Sequence, residues 1–146
     1  MADLEQSTNR LLAAYKTAVH DRDIDAFMRL YDPKVRVFDA WGIWLYEDAE
    51  RWQRAVEAWF GSLGTERVVV SFDDVMTWGD DNLASLSAVV TYASVSAQGE
   101  PLRSMQNRLS WLLKTRSHQF RVLHEHTSAP IGFDDMKAIL IRPAGR

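Results

Sequence analysis

The sequence predicts an α+β fold, with N-terminal helices packed in a strongly curved antiparallel sheet. Three observations predict it. Apolar residues recur at helical spacing through much of residues 3–62, apolar and polar residues alternate in long runs from residue 66 onward, and tight turns separate those runs. Helices followed by a strand meander are typical of α+β architecture. The length suits one domain, which we assign to residues 1–146.

Three helices are predicted in the first half of the chain. Residues 3–20 carry an apolar stripe, and Asp23 is placed to cap a short second helix over Ile24–Leu30. Asp32-Pro33 should end that helix, because the residue before a proline disfavours helical geometry. Asp48 begins a third helix that runs to Ser62.

The strands are predicted from alternation. Val35–Asp39 is the first, and Ile43–Tyr46 is a candidate for a short second strand. Four longer strands follow, over Arg67–Trp78, Leu83–Ala97, Leu102–Lys114 and Gln119–Ser128. The short turns between them predict an antiparallel meander that wraps the helices and leaves a pocket at its open end. In the tail, Met136–Ile141 is expected to add an edge strand or to pack on a neighbour.

Composition excludes several classes of function. The net charge of −3 offers no broad basic surface, so we expect no nucleic-acid partner. No apolar run is long enough to span a membrane, and the N-terminus lacks a signal-peptide profile, so we expect a cytoplasmic protein. The chain has no cysteine and no glycine-rich phosphate loop, and we expect neither a cofactor nor a metal.

Ionisable residues cluster in the last strand. By strict alternation His124 and His126 share one face, while Glu125 and Thr127 share the other. Alternation alone leaves open which face lines the pocket. If Glu125 lies inside an apolar pocket, its pKa would be raised and it could act as an acid or a base. The alternative is that Glu125 forms an ion pair with one of three arginines, Arg103, Arg108 or Arg121.

The two histidines have a different expected role. Both could contact one metal ion, but the sequence offers no evident third ligand. We therefore interpret His124 and His126 as packing residues on the outer face of the sheet.

The order of elements and the closing His124-x-His126-x-Ser128 segment resemble the nuclear transport factor 2-like superfamily over residues 5–130. Within it, the ending is similar to the SnoaL-like group and to the association domain of calcium/calmodulin-dependent protein kinase II. The resemblance implies a cone-shaped fold with a pocket. Thr127 occupies the place of the arginine that lines the pocket of that association domain. The resemblance therefore does not directly imply that this chain binds an anionic ligand as that domain does.

A second resemblance is to the ketosteroid isomerases of the same superfamily. Tyr15, the segment Arg22-Asp23-Ile24-Asp25 and Asp39 fall at matching places. The resemblance implies that Asp39 is a catalytic base and Tyr15 a hydrogen-bond donor to an enolate oxygen. The isomerases' second donor falls near Leu109, where the nearest polar group is Asn107.

These observations together predict a pocket protein that catalyses cofactor-independent proton transfer on a small hydrophobic molecule, as an isomerase, cyclase or dehydratase. We expect five residues to bind the substrate, namely Trp41, Trp59, Asn107, Trp111 and Glu125. The alternative is a non-catalytic module for ligand binding or oligomerisation, because one fold serves many functions.

The sequence also predicts a homodimer. The strands Leu83–Ala97 and Leu102–Lys114 carry apolar residues on both faces, with Leu112 opposite in parity to Trp111. A monomer would leave one such face as an exposed patch, so we expect the outer face to bind a second copy.

Overall fold

A computed structural model describes residues 3–145 of the chain. Three helices and five strands follow one another in the predicted order, with one strand between the second and third helices. They are α1 (Leu4–Asp21), α2 (Ile24–Met28), β1 (Tyr31–Phe38), α3 (Ala49–Ser62), β2 (Arg67–Gly79), β3 (Leu83–Val95), β4 (Pro101–Arg116) and β5 (Gln119–Ser128). The predicted cap of α2 is present, because Asp23 accepts a hydrogen bond from the Ala26 N–H at 3.0 Å. Asp48, predicted to begin the third helix, lies just before it as its cap and accepts a hydrogen bond from the Arg51 N–H at 3.0 Å.

The strands form one open sheet in the order β1-β5-β4-β3-β2. The antiparallel meander of β2 to β5 is confirmed. β1 joins its edge in parallel with β5, so the sheet is mixed. The fold is the predicted α+β arrangement.

The helices cover one face of the sheet, which we call the inner face. α1 packs against β2 and β5, and α3 packs against β1. Alternate residues of the strands point into this core because side chains alternate along a strand. The largest fully buried side chains include Phe27, Tyr31, Leu86, Trp111 and Leu113.

Two boundary predictions near β1 are wrong. Asp32-Pro33 lies inside β1 instead of before it, and α2 ends at Met28. Proline is tolerated because β1 is an edge strand, where a missing N–H need not break a ladder. Ile43–Tyr46 forms no strand, and only Tyr46 makes an isolated bridge, to Val37.

Strict alternation along β5 is also wrong. Leu113 pairs with Val122 while Leu112 pairs with His124, so Leu123 is an extra residue that forms a β-bulge. The bulge moves the side chains beyond it to the opposite face. Val122 and Glu125 are therefore both buried, although they differ in parity.

The predicted edge strand at Met136–Ile141 is absent from the described structure. The tail instead has a single bridge between Ile131 and Ala138. It also accepts one hydrogen bond on the Leu140 carbonyl from the Gln106 N–H, at 2.6 Å. Most of the tail's apolar side chains are exposed, and Phe133 is 95% exposed.

Among residues 3–145, no helix combines the length and apolar character needed to cross a membrane.

Candidate functional site

Tyr15 projects from α1 onto the inner face. It is 4% exposed, and its hydroxyl lies 2.9 Å from the hydroxyl of Tyr92 on β3. Its ring packs against Phe27, Phe72 and Trp111 at centroid distances of 5.3, 5.8 and 5.7 Å. Burial, reinforced by the charge of nearby acidic groups, raises the pKa of Tyr15 well above its ordinary value, so the phenol stays protonated.

Asp39 follows the last residue of β1. Its carboxylate accepts a hydrogen bond from the Thr127 hydroxyl at 2.9 Å, and the same hydroxyl oxygen accepts one from the Ala40 N–H at 2.8 Å. Thr127 thus fixes the carboxylate and the turn that follows it. Burial raises the pKa of Asp39, while the Thr127 hydroxyl and the amides of Trp41 and Ala40 limit the rise.

Glu125 lies on the inner face of β5 and is 3% exposed. Its Oε1 atom accepts a hydrogen bond from the Tyr31 hydroxyl at 2.6 Å and another from the Trp111 indole N–H at 2.9 Å. Burial raises the pKa of Glu125 to about 7, and the Asp39 charge adds to the rise, although the hydrogen bonds from Tyr31 and Trp111 oppose it.

The alternative ion pair of Glu125 with an arginine is wrong. Arg103 pairs with Glu66 at 2.9 Å, and Arg108 donates to the Ser128 hydroxyl at 3.1 Å. No ion pair between Arg121 and Glu125 occurs within the described chain. Two neutral donors bond to one oxygen of the carboxyl instead, and burial is the largest cause of the raised pKa of Glu125.

The four remaining predicted site residues differ in how deeply they are buried. Trp111 is fully buried, and Trp59 is partly buried, with its ring 6.0 Å from that of Tyr92. Asn107 is 6% exposed, and its buried Oδ1 has no hydrogen-bond partner in the described part of the chain. Trp41 is 52% exposed, in the loop after Asp39.

The structure decides between the two faces of β5. Glu125 and Thr127 are buried on the inner face, whereas His126 is exposed and His124 is partly buried on the outer face. The two imidazoles flank the Phe38 ring at centroid distances of 5.0 and 5.3 Å. They are packing residues, and residues 3–145 contain no group of three or more side chains that could hold a metal ion.

Two residues of the site escape prediction from the sequence. The helical pattern places Tyr31 just past the second helix, and Tyr92 is one of many residues in a long strand. Tyr92 shares strand parity with Leu86, Ala88 and Val90, which places it on the inner face. That parity is the available signal, whereas the contact of Tyr31 with Glu125 spans 94 residues and has no local signal.

Two surface depressions lie away from this cluster. One, of about 560 Å³, is lined by the N-terminal turns of α1, and the other, of about 480 Å³, by Gln106 and the tail. Neither includes Tyr15, Asp39 or Glu125. The candidate site is the inner face at the end of β1, where two carboxyl groups and three phenols converge.

Comparison with known families decides the classification. Residues 8–132 match the family described as the SnoaL-like domain. The chain belongs to the SnoaL-like family. This match covers all of α1 but its first turn, the other two helices, the whole sheet and every residue of the candidate site.

Solved structures share the fold of this SnoaL-like protein. An NTF2-like protein of unknown function from Pseudomonas putida is 22% identical, with 93% of this chain and 94% of that chain covered and a TM-score of 0.79. Aln2 from a Streptomyces species is 17% identical, with 86% of this chain and 89% of that chain covered and a TM-score of 0.75.

A third structure, from Xanthomonas campestris, is described provisionally as a calcium/calmodulin-dependent protein kinase II association domain. It is 16% identical, with 86% of each chain covered and a TM-score of 0.72. No curated protein sequence matches this chain significantly. These likenesses show the fold of the SnoaL-like protein.

Proposed function

We propose that this SnoaL-like protein binds a small hydrophobic molecule on the inner face of the sheet and catalyses cofactor-independent proton transfer on it. The reaction class is isomerase, cyclase or dehydratase. The observation that carries the proposal is Asp39, a carboxyl at the end of β1 that is held by the Thr127 hydroxyl at 2.9 Å and has a raised pKa. A carboxylate of raised pKa is a stronger base towards carbon acids.

The phenol pair supplies the complementary donor. When two hydroxyls lie 2.9 Å apart, one donates to the other, and the accepting hydroxyl keeps its own proton for another partner. The pKa values of Tyr15 and Tyr92 are both raised, first by burial, so both remain protonated at neutral pH. Such a donor stabilises the charge that develops on a carbonyl oxygen as its α-proton leaves.

The surrounding side chains suit a flat, mostly apolar ligand with one polar group. The Trp59 and Trp111 rings give large apolar surfaces beside the phenols. The Oδ1 atom of Asn107 makes no hydrogen bond to the described residues, and a buried unpaired polar group costs about 1–3 kcal/mol. A polar ligand atom, or a water that it displaces, would satisfy it. Trp41, next to Asp39, would cover the ligand's outer edge.

The second candidate function is a non-catalytic module for ligand binding or oligomerisation. One observation favours it. The Tyr15 ring contacts three other rings within 5.8 Å, so aromatic side chains fill much of the interior. Fold similarity to a structure described provisionally as an association domain is compatible with this role.

Deuterium exchange distinguishes the two candidates. The α-protons of 4-phenylbutan-2-one in D2O are followed by NMR, because their exchange requires only a base and a hydrogen-bond donor to the carbonyl oxygen. We expect exchange with the wild type, and Asp39→Asn should lower its rate about 100-fold or more. Tyr15→Phe should lower it less, because one donor is lost while the ring stays packed.

Asp73→Asn is the matched control, since this carboxyl is exposed on β2. This variant should catalyse the exchange at the wild-type rate. Urea unfolding of all variants separates lost chemistry from lost structure. Binding of the ketone without exchange, or equal rates for Asp39→Asn and wild type, would support the non-catalytic module instead.

A further inference from the structure

Glu125 is a buried carboxyl that the proposed base and donor pair leave without a role. β1 and β5 pair in parallel, with Val37 opposite Glu125. Two residues further along the chain from each of these, Asp39, just past the end of β1, accepts the hydrogen bond from Thr127. Since alternate residues share a face and each rises about 3.3 Å, Glu125 and Asp39 are diagonal neighbours on the inner face, about 7 Å apart along the strand.

The two carboxyls differ in their surroundings. Both donors to Glu125 converge on Oε1, and no described residue forms a hydrogen bond to Oε2. The titratable groups that face Glu125 are Tyr31 and Asp39 from the β1 side, Tyr15 from α1 and Tyr92 from β3, and none is a cation. Without a counter-cation, one site disfavours two negative charges, so the more exposed Asp39 ionises first.

The hydrogen bonds do not by themselves require an ionisable residue. An amide oxygen of glutamine would accept from Tyr31 and Trp111 equally well. A carboxyl at this position therefore adds one property, a proton that Oε2 can hold and release. That property matters only if a reacting group lies beside it.

We propose that Glu125 is a second catalytic group, the acid that complements the base Asp39, and that the substrate is a hydrophobic β-hydroxy carbonyl compound that loses water. This inference rests on the proposed function of the same site and narrows it to dehydration. The diagonal placement of the two carboxyls and the free Oε2 atom carry it.

The step balances without a further reactant. Asp39 takes the α-proton, and the electrons of the C–H bond form the new C=C bond while the phenol pair holds the carbonyl oxygen. The C–O bond to the hydroxyl breaks, and this oxygen receives the proton of Glu125 and departs as water. Asp39 is then protonated and Glu125 ionised, and transfer of one proton between them through solvent restores the starting state.

Two probe reactions separate base from acid. Of the two carboxyls, deuterium exchange of 4-phenylbutan-2-one needs only Asp39. Dehydration of 4-hydroxy-4-phenylbutan-2-one to its conjugated enone, which is followed by absorbance, needs both. Asp39→Asn should slow both reactions. Glu125→Gln should lower the ratio of dehydration to exchange about 100-fold, the usual effect of losing a general acid. Glu57→Gln, at an exposed glutamate of α3, is the control and should keep the wild-type ratio.

The pH profile gives a readout that a structural role would not move. Wild-type dehydration should decline above about pH 7 as Glu125 loses its proton. Tyr31→Phe keeps the carboxyl but removes a donor that favours its ionised form, so the decline should move to higher pH. This variant also keeps the test valid if Glu125→Gln folds poorly.

The outcomes are distinct. Exchange without dehydration in the wild type, an unchanged ratio in Glu125→Gln, or a decline that Tyr31→Phe does not move would each overturn the role of Glu125 and leave the proposed function intact. If the wild type catalyses neither reaction, both the role of Glu125 and the proposed function are overturned. Infrared titration of the carboxyl band adds an independent check, because a Glu125 that is already ionised at pH 5 cannot be the acid.

Discussion

Replacing Glu125 by glutamine should remove a pH dependence from the stability of the fold. The glutamine side chain keeps an oxygen that can accept from Tyr31 and Trp111, so packing is conserved while the ionisable group is lost. The folded-state pKa of Glu125 is raised by burial to about 7, from an ordinary value of 4.5. A raised pKa means that the folded chain holds this proton more tightly than the unfolded chain does.

The sign and size follow from these two values. Below about pH 4.5 both states are protonated, and the stabilising contribution of the bound proton is fully present. It is lost as the pH rises through about 7, because the unfolded chain has released its proton while the folded chain must ionise a buried group. The pKa difference of about 2.5 corresponds to about 3 kcal/mol in total, of which about 2–3 kcal/mol falls between pH 5 and 8.

Urea unfolding at pH 5, 6, 7 and 8 measures this effect. The difference in free energy of unfolding between Glu125→Gln and the wild type should shift in favour of the variant by about 2–3 kcal/mol across the series. Glu57→Gln, which changes an exposed glutamate, should run parallel to the wild type. If the free energies of unfolding of Glu125→Gln and the wild type differ by the same amount from pH 5 to pH 8, the assignment of a raised pKa to Glu125 is refuted.

Two further predictions concern assembly and metals. We expect a homodimer through the outer sheet face, where Leu112 is 36% exposed, and light scattering at micromolar concentration should give about twice the monomer mass of 16.7 kDa; a monomer mass would contradict it. Leu112→Lys should weaken the dimer, because it places a charge in that contact, while an equivalent change at exposed Val75 on β2 should not. We also expect chelation to leave the unfolding midpoint unchanged, since His124 and His126 pack on Phe38; stoichiometric metal with unfolding on chelation would contradict it.

Local sequence signals carried most of the fold. The caps Asp23 and Asp48 set the helix starts, because a side chain three residues before an N–H group can satisfy it without help from the rest of the chain. Alternation located β2 to β5 within a few residues. The parallel pairing of β1 with β5 was not foreseeable in this way, because it joins segments about 90 residues apart.

In the candidate site, too, some residues could be predicted from the sequence and others depend on long-range packing. Sequence selected Tyr15, Asp39 and Glu125 as the residues to examine, from a resemblance and from the cost of burying charge. It did not select Tyr31 or Tyr92, because their hydrogen bonds to Glu125 and Tyr15 span 94 and 77 residues. Pairs at such separations arise from the packing of whole elements, which no window of sequence contains.

The orientation of Glu125 is the clearest instance. The sequence by itself determined a strand at Gln119–Ser128 and a carboxyl near its end. Only the tertiary structure decided that this carboxyl faces inward on the same side as Val122, because the bulge at Leu123 shifts the register of β5 against β4. A single extra residue exchanges the two faces of a strand, since the side-chain period is two, and its position depends on the partner strand.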